Sequence, residues 1–184
     1  MPQALKLHPD TPCRAVRQIE VDIERPRHDG LLLAYRATGT MSDIVKPPVG
    51  AAERSDGLWQ HTCFEAFIRV PSEAGYYEFN FSPSTEWAAY RFSGYRSGRR
   101  AADAIEAPRI EVQSEPQSFT LRASLDLRGL PDLASQASWQ VGLSAVIEAA
   151  GGQMSYWALA HPPGKPDFHH AACFALMFTP AVAS

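Results

Sequence analysis

The chain has 184 residues, a mass of 20.2 kDa and a formal net charge of −3. Hydrophobic residues make up 45% and charged residues 20%, enough to bury one full core without covalent staples. These figures exclude a fibre, a small disulfide scaffold and a basic nucleic-acid binder, and no apolar run approaches the roughly 18 residues of a membrane-spanning helix.

Met1 to Asp10 lacks the apolar stretch of a secretory signal, and the three cysteines, Cys13, Cys63 and Cys173, are too few and odd in number for a disulfide framework. A cytoplasmic protein with no membrane or nucleic-acid partner is the expectation.

Along the chain the apolar period is mostly two, the mark of strands. Strand-like runs fall at Val16–Ile23, Leu31–Thr38, Cys63–Val70, Tyr76–Phe81 and Trp87–Ser93. They continue at Ile110–Gln113, Phe119–Asp126, Trp139–Ile147, Tyr156–Leu159 and Cys173–Phe178. Only Ala101–Glu106 and Leu130–Ser135 suggest a turn or two of helix. Nine or ten strands exceed a typical sheet, so the expected fold is all-β: one antiparallel β-sandwich domain of two sheets over 1–184, with its core at about 16–178. The segments Thr40–Gly57, Ser93–Pro108 and His161–His170 are longer than connections require, a common property of functional loops.

The third, fourth and fifth runs carry unusual polar residues at alternate positions. Glu65, Glu78, Asn80 and Arg91 accompany the aromatics Tyr76 and Trp87. This pattern fits a solvated outer sheet face. It also fits a shallow site for a sugar, whose apolar ring faces stack on aromatics and whose hydroxyls need paired hydrogen bonds.

The segment WQHTCFEAFIRV followed by YYEFNFSP resembles the superfamily of DOMON-like domains and family 9 carbohydrate-binding modules. The carrying residues are Trp59, Glu65 and Tyr76-Tyr77-Glu78-Phe79-Asn80, and the closing stretch SYWALAHPPGKPDFHHAACFALMF is similar to the family's last unit. The likeness runs from about Leu31 to Phe178. It implies a jelly-roll or immunoglobulin-like sandwich and a non-catalytic domain that binds carbohydrate or another small polar ligand. In that reading Trp59 and Trp157 are stacking plates and Glu65 accepts hydroxyl hydrogen bonds. Asn80 occupies a position that is usually Arg, and Arg91 compensates from the next strand. Asp167 and His169 close the site from the last long loop.

Other superfamily members bind haem b, for which Met41 and His161 are the available axial pair. His61 and Cys63, at strand spacing, are a candidate zinc pair, although Cys in an apolar strand is most often core. Arg91, Arg96, Arg99 and Arg100 cluster near Tyr90, Phe92 and Tyr95, either as a contact for an anion or partner protein or as a solvated loop. Glu65 with Glu78 could form a glycosidase pair. No nucleophile elbow or phosphate loop occurs, so no cofactor or catalytic activity is expected. A protein-interaction module and a homodimer stay open.

Overall fold

The computed structural model describes residues 1–26, 30–133 and 137–179. Its strands are β1 (Gln3–Leu7), β2 (Val16–Glu24), β3 (Gly30–Gly39), β4 (Cys63–Arg69), β5 (Tyr76–Phe81) and β6 (Trp87–Phe92). They continue with β7 (Arg100–Ala101), β8 (Arg109–Glu115), β9 (Ser118–Asp126), β10 (Trp139–Glu148), β11 (Met154–Ala158) and β12 (Leu176–Phe178). Among the described residues, helix is confined to 3-10 turns such as Leu58–Gln60 and Ala171–Cys173. No helix there is long and apolar enough to cross a membrane.

The strands form one sheet of order β7-β6-β5-β4-β10-β11-β1-β2-β3-β9-β8, with β12 pairing β10. All these pairings are antiparallel. This corrects the expectation of two separate sheets with nine or ten strands. The cause is β1, whose Gln3–Leu5 pairs β2 while its Lys6 and Leu7 pair Ala158 and Trp157 of β11. One short strand thereby joins two halves that face each other across the core. Tyr35 of β3 donates from its hydroxyl to the Glu65 carbonyl of β4 at 2.6 Å. Phe64 of β4 stacks on Phe119 of β9 at 5.8 Å.

The strands absent from the sequence reading are short. β1 offers few apolar residues to a period count, and both residues of β7 are exposed. Ala101–Glu106 is not helical. Ala101 is held in the sheet opposite Tyr90, and one turn closed by Ile105 N–H on the Ala102 carbonyl then buries Ala102 and Ile105. Of Leu130–Ser135, Pro131–Leu133 forms a 3-10 turn and Ala134–Ser135 lies outside the described residues. The run Cys173–Phe178 divides into the end of a 3-10 turn and β12.

Strands β4 and β5 are buried on both faces. Their inner face, with Phe64, Ala66, Ile68, Phe79 and Phe81, joins the main core. Their outer face carries a second apolar cluster that includes Phe67, Tyr76, Tyr90, Phe92, Phe168 and Phe174. Phe168 and Phe174 come from the 161–175 segment, which folds back over the sheet. The anticipated solvated face is therefore a covered layer, and its polar residues had to be accommodated inside it.

Candidate ligand-binding site

Between the outer face of the β4–β6 sheet and the 161–175 segment lies an open cleft of about 390 Å³. Glu65, Glu78 and Val146 form its floor, each 5% exposed or less. Trp59, Phe92, Tyr156, Phe168 and His169 wall it, and Arg96 and Arg99 border it.

Register explains the floor. Glu65 of β4 faces Asn80 of β5 on one side and Ser144 of β10 on the other, and Glu78 precedes Asn80 by one two-residue step on the same face. Ser144 donates its hydroxyl to Glu65 Oε2 at 3.1 Å, and Asn80 Nδ2 donates to Glu78 Oε1 at 2.8 Å. Burial, then the charge of Glu78, lifts the Glu65 carboxyl to about 8. Burial also lifts Glu78, to about 7, against the Asn80 hydrogen bond and the Arg99 and Arg96 charges that favour its ionised form. The two acids titrate as a pair. Near neutral pH the floor therefore offers both a carboxyl donor and carboxylate acceptors.

His169 forms the opposite wall. Its Nδ1 lies 2.8 Å from the Tyr76 hydroxyl, and that hydroxyl accepts the Arg96 backbone N–H at 3.2 Å. The Tyr76 proton is thus directed to Nδ1, which leaves Nε2 carrying the ring proton 3.8 Å from Glu78 Oε2. Burial first, and the Arg96 charge second, depress His169 to about 4. It is a neutral imidazole at physiological pH.

A second set of contacts fixes the border. Asp167 accepts from Arg96 Nη2 at 2.7 Å, from Arg96 Nε at 3.2 Å and from the Tyr95 hydroxyl at 2.5 Å. It also accepts the His169 backbone N–H at 3.2 Å. The segment bearing Phe168 and His169 is thereby clasped to the turn after β6. Arg96 in that turn has φ +49°, a left-handed conformation that side-chain-bearing residues rarely adopt. Gly98, at φ +62°, completes the turn where an added Cβ would meet the Ser93 hydroxyl at 2.1 Å.

Of the residues singled out in the sequence, Trp59, Glu65, Glu78, Arg96, Arg99 and His169 line this cleft. Asn80 is fully buried beneath it and touches Glu78, and Asp167 acts on the border through Arg96. Trp157 does not reach the cleft. It faces Ala145 in register, packs in the main core and donates its indole N–H to Ser155. Its neighbour Tyr156 faces Val146 and supplies the wall instead.

Arg91 and Trp87 also lie on the other face, since Arg91 pairs with Tyr77 and Trp87 with Phe81. The Arg91 guanidinium binds Asp132 at 2.9 Å. Sequence reasoning did not place Tyr156, Phe168 or Phe92 in the site. The partner-strand alternation of Val146 and Tyr156 was the available signal for one of them.

Met41 is 2% exposed within the main core, and His161 Nε2 is bonded to the Lys6 carbonyl, so neither lines the cleft. His61 is exposed and contacts Glu148 at 2.7 Å, whereas Cys63 is fully buried. Among the described residues no group of three or more His, Cys, Asp or Glu side chains could hold a metal ion.

The sequence matches no family model and no curated protein. The fold does have solved counterparts. It is similar to a candidate carbohydrate-binding protein from Bacteroides uniformis, with a TM-score of 0.68 at 13% identity, over 98% of this chain and 84% of that one. It is also similar to a family 9 carbohydrate-binding module from Caldicellulosiruptor kristjanssonii solved with cellotriose. There the TM-score is 0.51 at 9% identity, over 89% of this chain and 74% of that one. The chain thus shares the all-β fold of these two structures.

Proposed function

We propose that the protein is a non-catalytic carbohydrate-binding domain and that the β4–β6 cleft is its site. The observation that carries this reading is an aromatic-walled cleft floored by two buried, hydrogen-bonded carboxyls. Trp59, half-buried on the 3-10 turn Leu58–Gln60, and Tyr156 offer apolar surface to a sugar ring. Glu65 and Glu78 accept from hydroxyls when ionised, and a protonated carboxyl can also donate. The cleft volume suits a mono- or disaccharide, since pockets for small ligands begin at about 300 Å³. The fold likeness to a module solved with cellotriose supports the same class of ligand.

Calorimetric titration with glucose, cellobiose and cellotriose tests the reading on the wild type, Trp59→Ala and Glu65→Gln. Wild-type binding with loss of at least roughly tenfold in each folded variant is expected, the scale of one lost charged hydrogen bond or ring contact. Binding that survives both substitutions would place the ligand elsewhere. Variants that unfold would assign these residues to structure.

A further inference from the structure

The cleft is not the only concavity on this face. A groove of about 410 Å³ adjoins it, lined by Arg54, Asp56, Tyr90, Arg99 and Arg100 among others. Arg99 borders both. Three guanidiniums thus meet a single lining carboxylate on a chain whose net charge is negative.

The carboxylates near these arginines hold them weakly. Asp56 stands 3.9 Å from Arg99 and Asp103 stands 3.9 Å from Arg54, and both acids are well exposed. Ion pairs of that length and exposure contribute little. The Tyr90 hydroxyl already occupies Asp56. Arg100 has no side-chain hydrogen bond or ion pair among the described residues.

Arg99 is nevertheless positioned. Its guanidinium carbon stands 5.5 Å over the Trp59 ring and 5.0 Å over the Tyr90 ring. Cation–π attraction to the two rings holds the guanidinium in place without using its N–H donors. Arg54 is steadied by carbonyls, with Nη2 donating to Ala102 at 3.1 Å.

We infer that the Arg54–Arg99–Arg100 groove is a second subsite, which receives the anionic group of a saccharide whose ring lies in the neighbouring cleft. The inference rests on the carbohydrate reading of that cleft and narrows it to acidic sugars, whether uronates or sugar phosphates. The buried acids do not oppose this. Burial raises both carboxyls above the ordinary range, which lowers their negative charge near neutral pH, and the Arg99 guanidinium borders both concavities.

The test is calorimetric titration of the full chain with matched pairs: cellobiose against cellobiouronate, and glucose against glucose 6-phosphate, with inorganic phosphate alone as a further probe. At least one anionic member is expected to bind roughly tenfold or more tighter than its neutral counterpart, the scale of one added charged hydrogen bond. Which pair shows the preference identifies the anion. The preference should shrink as salt rises, and in Arg99→Gln and Arg100→Gln the ratio should fall towards one. The salt series needs no variant, so it decides the matter even where a substitution disturbs folding.

Equal affinity for neutral and anionic members would overturn the subsite and leave the sugar site standing. Inorganic phosphate binding as tightly as glucose 6-phosphate would also overturn it, by showing a bare anion site. Failure of every saccharide to bind would remove the carbohydrate reading itself, and this inference with it.

Discussion

Burial raises both floor carboxyls against the opposing pull of their neutral donors, Ser144 and Asn80. Glu65 and Glu78 bind their proton more tightly in the folded chain than in the unfolded one, so stability falls as pH rises through about 7 and 8. His169 has the opposite sign. Its folded value near 4 lies below the ordinary 6.5, so stability rises with pH between those values. The two effects oppose each other in mildly acidic solution, and above pH 6.5 only the carboxyls act. The melting temperature should therefore decline from pH 6.5 to about 8, and decline less in Glu65→Gln. Parallel wild-type and variant curves would clear Glu65 of that role. Asn80→Ala should cost about 1–3 kcal/mol in denaturant unfolding, because it leaves the buried Glu78 carboxylate without its amide donor. A cost near zero would mean that water replaces the amide. At this scale the sequence pointed to Trp59 and Glu65, which line one cleft. It misled where side-chain direction depended on register, as at Arg91 and Trp157, since a residue's parity has no absolute face until its strand is paired.

At the scale of elements, the turn after β6 and the 161–175 segment work as a unit through Asp167. Arg96 accepts an unfavourable backbone conformation to reach that carboxylate. Arg96→Ala loses the ion pair and keeps the strain, whereas Arg96→Gly loses the pair and relieves the strain. The glycine variant should be more stable than the alanine variant by about 1 kcal/mol in urea denaturation. The reverse order would mean that the turn rearranges once the pair is gone. Asp167→Asn should weaken saccharide binding while leaving the circular dichroism spectrum intact, because it releases the clasp but not the sheet. Unchanged affinity would show that Phe168 and His169 hold their places without it. Strand positions were largely legible from alternation. The face that would be covered was not, because Phe168 and Phe174 lie in a proline-rich stretch with no period to reveal where it folds.

For the molecule as a whole, the two halves of the sheet meet across the core at polar as well as apolar contacts. Tyr35 supplies a polar one, and Tyr35→Phe should cost about 0.5–1.5 kcal/mol while unfolding remains a single cooperative transition. Two resolved transitions would show that the halves are coupled less tightly than their shared core suggests. An all-β chain was evident from the sequence. Its closure into one sheet was not, because the joining strand β1 has only five residues and one of its two partners, β11, lies about 150 residues away.

That distance also governs assembly. Lys6 and Leu7 pair with Ala158 and Trp157, so nearly the whole chain must be in place before β1 acquires its second neighbour. Loop closure on that scale is slow, and until it happens the β1–β2 half presents an unpaired edge. The β1–β11 seam is therefore the most non-local pairing of the sheet. A polypeptide interrupted before β11 would hold an open template for strand addition by other copies, while the finished chain has already occupied it with its own residues.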